Sequence, residues 1–267
     1  KEMLPVVDTP TIQYVVEECV ESGITDILIV IGQGKRSLEE HFDSSQELEE
    51  RLEENEHFSL LEKIRRISKM AEIHFVWQKE LNGLGAAVSH GRTFVGNDPF
   101  ALLLGDTILR ESDSSQPILQ QMLEIHDAKN ASVVALEEVD RDRVSRYGIA
   151  GGTNITDNLL ALDQIVEKPS AEDAPSNMAV AARYIFQPAI FEYLSKTSRG
   201  KNNEIQLTDA MAAMLKDHEM IGFCFSGKRY DVGNKLDFIK TNIELGLTHE
   251  DIAGELTDYL RTLASKL

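Results

Sequence analysis

Cationic side chains are scarce beside anionic ones: 27 Lys and Arg stand against 45 Asp and Glu, a formal charge of −18. A polyanion is bound largely by Lys and Arg that displace its counterions along a basic face. This balance excludes a nucleic-acid partner, although a few cations gathered in one cleft can still receive a small phosphorylated substrate. Cysteine is nearly absent. Cys19 and Cys224 are the only two, without the number or spacing of a disulfide framework or a zinc site, and both read as small buried residues of a reducing compartment. No apolar run approaches the roughly 18 residues of a membrane span, and no signal peptide is visible, so a cytoplasmic protein with no membrane contact is expected. What is present is an ordinary globular composition: 42% apolar residues in a chain of 267, enough for one α/β core or two smaller domains.

The apolar residues alternate between helical and strand periods. Asp8-Thr9-Pro10 ahead of Thr11-Ile12-Gln13-Tyr14-Val15-Val16 predicts a capped helix with proline in its first turn, ended by Gly23. Asp26–Ile31 is a short, nearly continuous apolar run, as expected of a central strand covered on both faces. Residues 38–56 are dense in Glu and read as a solvated helical face, with an acidic interaction surface as the second reading. Glu72–Trp77 alternates as a strand, 100–104 reads as a buried strand, and a helix opened by Gly83-Leu84-Gly85 lies between them. Strand, helix and strand in this order are the repeat of a parallel α/β sheet.

Residues 119–129 predict a helix and 132–136 a strand. Residues 147–186 then change to short strands and turns, a mixed-sheet region with a cleft between it and the first. A helix (207–217), a strand (220–225), a helix (235–245) and a final amphipathic helix complete the chain. The last carries Ile252, Leu256, Tyr259, Leu260, Leu263 and Leu267 as a 3.6-period stripe, read first as core packing and second as an oligomer contact.

Four local features bear on chemistry. Lys1-Glu2-Met3-Leu4-Pro5 sets a lysine before a helix start, where a solvated surface charge is the ordinary reading. Gln78-x-Glu80-x-x-Gly83-Leu84-Gly85 follows a strand and opens a helix, so its backbone N–H groups can face an anion or a ring edge, or simply make a tight turn. Leu104-Gly105-Asp106 puts a carboxylate at the end of a buried strand, where open α/β sheets bind ligands. Asp231, in Arg229-Tyr230-Asp231-Val232-Gly233, is a second carboxylate in the same setting. Mg²⁺ is commonly held by one or two carboxylates, with phosphate and water filling the remaining positions. Val166-Glu167-Lys168-Pro169 juxtaposes opposite charges that strand alternation would send to opposite faces, which argues against a mutual salt bridge.

In this order, together with Glu204-Ile205-Gln206-Leu207-Thr208-Asp209 and Lys228-Arg229-Tyr230-Asp231-Val232-Gly233, these segments resemble the bacterial UTP:glucose-1-phosphate uridylyltransferases of the sugar-nucleotidyltransferase superfamily. The resemblance runs from Lys1 to about Leu247. It implies an α/β, Rossmann-like fold with a mixed, mainly parallel central sheet flanked by helices. Residues 1–140 would form the nucleotide-binding part of a single domain, 141–235 the sugar-binding part and 236–267 the C-terminal helices.

The implied reaction is Mg²⁺-dependent attack of glucose 1-phosphate on the α-phosphorus of UTP, giving UDP-glucose and pyrophosphate. The resemblance sets Asp106 and Asp231 on Mg²⁺ and Lys1 against the phosphates. Gln78 and Gly83, with Asp106, would meet the nucleotide. Glu167 would accept from glucose hydroxyls and Lys168 would hold the sugar phosphate, while Gly148 and Val180 line the sugar pocket and Asn177 and Lys235 stand nearby. Homodimers or homotetramers are implied as well.

The sequence departs from the family pattern at several points. The family opens with a strand and a Gly-x-Gly-Thr-Arg loop, and this chain is expected to be short of both. Thr107 replaces a second Asp, Asn82 an apolar residue and Ala182 a glycine; the last two are expected to alter the base and sugar pockets. A thymidylyltransferase, or a non-catalytic sugar-nucleotide-binding relative lacking the triphosphate loop, are the rival readings.

Overall fold

The computed structural model describes residues 1–112, 116–200 and 203–266. The chain opens with a two-stranded ladder, β1 (Pro5–Val6) and β2 (Thr9–Pro10), followed by helix α1 (Thr11–Glu21) and strand β3 (Asp26–Ile31). Helices α2 (Arg36–Phe42), α3 (Gln46–Glu54) and α4 (Phe58–Lys69) lead to β4 (Glu72–Trp77). Next come α5 (Leu84–Ser89), α6 (Arg92–Val95), β5 (Phe100–Leu103), β6 (Thr107–Glu111), α7 (Ile118–Lys129) and β7 (Ser132–Glu138). After a short 3₁₀ turn, β8 (Gly148–Asn154), β9 (Leu159–Glu167) and β10 (Met178–Phe186) form the meander, followed by α8 (Ile190–Lys196) and α9 (Leu207–Met214). Strands β11 (Met220–Cys224) and β12 (Gly227–Asp231) and helices α10 (Lys235–Gly246) and α11 (Ala253–Ala264) complete the chain.

The main sheet has six strands in the order β5-β10-β7-β11-β9-β8. Alternate residues of β7 face opposite ways. Val134 and Leu136 join a cluster with α5, α8 and α9, while Val133 and Ala135 join one with α7 and Cys19, so helices cover both faces. The α/β layering expected of this sequence is therefore present, but the strand directions differ from the mainly parallel sheet. Only β7–β11 and β3–β4 run parallel among the described residues, because β10 returns between β5 and β7 and is antiparallel to both. Strand pairing is chosen across the fold and leaves no trace in local periodicity.

Two further expectations change. Strand β3 pairs only with β4 among the described residues and its Ile27–Val30 stretch is half-buried, as is β5. Neither is enclosed in the way a central strand would be. Helix α1 has no side-chain cap: Thr9 and Pro10 are held in the ladder with Val6 and Pro5, and the Asp8 carboxylate accepts from the Thr9 hydroxyl instead. The first amides of the helix go to the preceding turn, Thr11 N–H to the Leu4 carbonyl at 3.0 Å and Ile12 N–H to the Glu2 carbonyl at 2.9 Å. That exchange fixes residues 1–4 on the helix start.

The acidic stretch forms α2 and α3. Leu38 and Phe42 of α2 are buried, α3 buries nothing, and Glu49 pairs with Arg65 of α4 at 2.7 Å. Among the described residues no helix is long and apolar enough to cross a membrane.

Candidate active site

Strand β12 lies antiparallel to β6 with Asp231 opposite Thr107. The carboxylate of Asp106, one residue earlier, therefore stands at the same end of the ribbon as Asp231. Burial pushes the Asp106 carboxyl up; the Lys1 ammonium works against that, and Asp231 and Glu2 add to it. All four charges thus share one neighbourhood. A Cβ placed on Gly233 would lie 2.6 Å from Asp231 Oδ1 and 3.2 Å from Lys1 Nζ, which puts the exposed Lys1 ammonium beside this carboxylate. Asp231 Oδ1 also accepts from the Gly233 amide at 2.7 Å.

Glu2 belongs to the same group. Burial alone would raise its carboxyl, but Lys35, with Nζ 2.8 Å from Oε1, and its own backbone amide outweigh that and hold it down at about 2. Glu2 and Lys35 were invisible as site residues in the sequence, because their pairing spans α1 and β3.

A second group is built from β4 and the turn into α5. Gln78 follows β4, is buried, and donates its backbone N–H to the Ile31 carbonyl at 2.8 Å. Its side-chain Nε2 is buried without a hydrogen-bond partner among the described residues. An unpaired buried donor is costly, about 1–3 kcal/mol, and is the kind of group that a ligand carbonyl would satisfy. Gly83 has φ +98°, and a Cβ there would meet Glu204 Cβ and the Ile205 carbonyl, each at 2.8 Å. The Gly85 amide, expected as a possible ligand donor, is already bonded to the Ile205 carbonyl at 2.9 Å, and Ile205 N–H bonds back to Asn82. This turn is therefore zipped to residues 204–205, and Gly85 N–H is not offered to an anion.

Gly148, Glu167, Lys168 and Val180 lie together. Gly148 faces Glu167 across the β8–β9 ladder, and a Cβ on Gly148 would meet Thr208 Cγ2 at 2.7 Å, Glu167 Oε2 at 3.4 Å and Val180 Cγ2 at 3.7 Å. Glu167 Oε2 accepts from the Thr208 hydroxyl at 2.7 Å, and Oε1 lies 3.1 Å from Lys168 Nζ. The salt bridge that strand alternation argued against is thus present. Lys168 has left the strand with φ +46°, so the two side chains no longer point to opposite faces. Burial and the Glu167 charge push the Asp209 carboxyl up.

Asn177 is not with this group; its amide donates to Glu138 Oε1 at 2.9 Å. It lines a cleft of about 630 Å³ with Arg143, Tyr147, Arg229 and Asp231, a cleft whose lining does not include Lys1, Asp106, Glu167 or Lys168. Lys235 opens α10 on the surface.

A family model for nucleotidyl transferases matches residues 1–246. The chain belongs to the nucleotidyl transferase family. Among curated relatives of this nucleotidyl transferase, the UTP--glucose-1-phosphate uridylyltransferase of Bacillus subtilis (strain 168) is 43% identical over 266 residues, covering 100% of this chain and 90% of the relative. A solved UDP-glucose pyrophosphorylase complexed with UDP-glucose is 41% identical with a TM-score of 0.85, covering 93% of this chain and 91% of the other. The UDP-glucose pyrophosphorylase of Acinetobacter baumanii is 34% identical with a TM-score of 0.90, covering 98% and 91%.

Beyond the residues picked out from sequence, this nucleotidyl transferase carries a fully buried arginine. Arg183, on β10, gives Nε and Nη2 to Glu18 Oε2 of α1 at 3.0 and 2.7 Å. Nη2 also reaches the Thr107 carbonyl at 3.0 Å, and Nη1 the Ala182 carbonyl at 3.1 Å. Glu18 Oε1 is buried without a partner among the described residues. A charged residue within the apolar run Met178-Ala179-Val180-Ala181-Ala182-Arg183-Tyr184-Ile185-Phe186 was the available signal, since such a charge must be paired to be buried. Arg229 is similar: it pairs with Glu137 at 2.8 Å, lies over the Tyr147 ring at 4.2 Å and donates to the Val180 carbonyl at 3.3 Å.

Proposed function

We infer that this chain transfers a uridylyl group from UTP to glucose 1-phosphate. A phosphate oxygen of glucose 1-phosphate forms a bond to the α-phosphorus of UTP while the bond to the bridging oxygen breaks, giving UDP-glucose and pyrophosphate. The reading is supported above all by Lys1, Asp106 and Asp231 standing together at one end of the β6–β12 ribbon, in a chain matched along its whole length by uridylyltransferases.

Residues 1–140 would serve the nucleotide and 141–235 the sugar, with 236–267 as C-terminal helices. Gln78 would give its unsatisfied Nε2 to a uracil carbonyl, and Gly83 lets the base approach the main chain. Glu167 would accept from glucose hydroxyls between Gly148 and Val180. Lys168 would divide its charge between Glu167 and the sugar phosphate. Lys1 would face the triphosphate. Two mutually repelling anions must be aligned, so positioning and opposite charge carry such a reaction and no Ser, Cys or His nucleophile is required.

Asp106 and Asp231 are hard oxygen donors of the type Mg²⁺ takes, and a site of two carboxylates completed by phosphate and water suits that ion. No cluster of three or more His, Cys, Asp or Glu side chains able to hold a metal exists among the described residues. Mg²⁺, when bound, would supply electrostatic stabilisation of the developing phosphate charge.

Assembly as a homodimer or homotetramer is part of the proposal, as is a cytoplasmic location, which the two free thiols suit. Incubation with glucose 1-phosphate, Mg²⁺ and each nucleoside triphosphate in turn, with pyrophosphate measured, tests the activity. UTP is expected to give the highest rate. A preference for dTTP would favour the thymidylyltransferase reading, and UDP-glucose binding without turnover of any triphosphate would favour the binding-protein reading.

A further inference from the structure

The turn that carries Asp106 is held at both ends by one side chain. At its start the Leu104 amide donates to the Ala182 carbonyl at 3.2 Å, and that carbonyl also accepts from Arg183 Nη1 at 3.1 Å. Within it the Thr107 amide reaches back to the Leu104 carbonyl at 3.4 Å. At its end the Thr107 carbonyl accepts from Arg183 Nη2 at 3.0 Å. The same guanidinium is fixed on the far side by Glu18 of α1. Thr107 is also the residue opposite Asp231 in the ribbon. Whatever sets the Thr107 main chain therefore sets both the Asp106 carboxylate and its spacing from Asp231.

We propose that Arg183, anchored by Glu18, is a positioning residue that holds the turn 104–107 so that Asp106 and Asp231 converge on one divalent cation. Arg183 touches neither substrate nor metal in this role; it acts through the Thr107 and Ala182 carbonyls. Its planar fork matters because three acceptors in different directions must be met at once, and a lysine ammonium in the same place cannot reach them with the same geometry. The inference rests on the reading of Asp106 as a ligand of the cation.

The test compares Arg183→Lys, Glu18→Gln and Asp106→Asn with the parent chain. Thermal unfolding is recorded for each. Mn²⁺ binding is followed by loss of the free-ion electron paramagnetic resonance signal in the presence of UDP-glucose, and UDP-glucose affinity is measured separately in EDTA. Arg183→Lys is expected to fold and to bind Mn²⁺ about tenfold more weakly or worse, the usual cost of removing a partner that orients a metal ligand, with UDP-glucose affinity in EDTA unchanged. A purely structural role would lower the unfolding temperature and leave Mn²⁺ affinity alone.

A folded Arg183→Lys within about twofold of parent Mn²⁺ affinity, well short of the usual loss, overturns the inference if Asp106→Asn has lost binding. Should Asp106→Asn itself bind as the parent does, the metal assignment falls instead. If Arg183→Lys does not fold, Glu18→Gln decides by the same measure: weakened Mn²⁺ binding supports the role of the pair, and parent-like binding overturns it.

Discussion

Ala182 holds φ at +63°, in the left-handed region where a Cβ crowds the following carbonyl and only glycine rests without cost. The position falls where the register of β10 against β7 shifts, between Val180 and Tyr184. Its carbonyl is turned by that shift toward Leu104 N–H and Arg183. The departure from glycine visible in the sequence thus bears on the backbone. Ala182→Gly is expected to stabilise the chain by about 1 kcal/mol, seen as a higher urea midpoint with an unchanged slope. A lower midpoint would show that the lost Cβ packing outweighs the relieved strain. The same conformation explains why the Glu167–Lys168 pair escaped sequence reasoning: a single positive φ at Lys168 cancels the alternation on which that reasoning depended.

Among elements, those defined by their own residues were legible. The runs at Asp26–Ile31 and Glu72–Trp77 become strands with those bounds, and the helices over α7, α9 and α10 lie within a few residues of their predicted limits. What depended on a distant partner was not legible. The α1 cap was lost to the β1–β2 ladder, the strand directions to the insertion of β10, and the Gly85 amide to Ile205. Within the candidate site the residue types Lys1, Asp106, Asp231, Glu167 and Lys168 were readable from motif order, whereas Glu2, Lys35, Glu18, Arg183 and Thr208 required the three-dimensional neighbours.

The zipped segment yields a prediction at this scale. Gly83→Ala must both adopt a positive φ and push residues 204–205 away. A strained turn of about 1–3 kcal/mol is expected, with a lower unfolding temperature and a higher KM for UTP than for glucose 1-phosphate relative to the parent. Equal changes in both constants would detach Gly83 from the base side.

For the molecule as a whole, the C-terminal stripe is the largest departure from expectation. It was read as core, yet α11 buries no residue among those described; Ile252 is 39% exposed, Tyr259 63% and Leu263 40%, and Leu267 lies outside the described residues. Leu236 and Ile239 of neighbouring α10 are also exposed, at 60% and 56%. Only the inner side of α11 is engaged, where Leu256 lies against Gly246. We propose instead the second reading of the stripe, a contact between copies, because contiguous exposed apolar residues commonly mark interaction sites. Sedimentation velocity is expected to give twice or four times the chain mass, and Tyr259→Glu combined with Leu263→Glu to shift it toward the monomer. A monomeric parent chain would remove that reading.

The pairing of β6 with β12 has a consequence for how the protein is made. Asp106 lies 125 residues before Asp231, Glu18 is 165 residues from Arg183, and the Val7 amide is capped by Asn242, 235 residues away. Contacts of such sequence separation form slowly, because loop closure must precede them. No amino-terminal portion of a growing chain can hold the two carboxylates together until β12 has left the ribosome. A nascent chain that stops short of β12 consequently holds most of the core strands without the paired carboxylates, and β12 is the segment that brings them together.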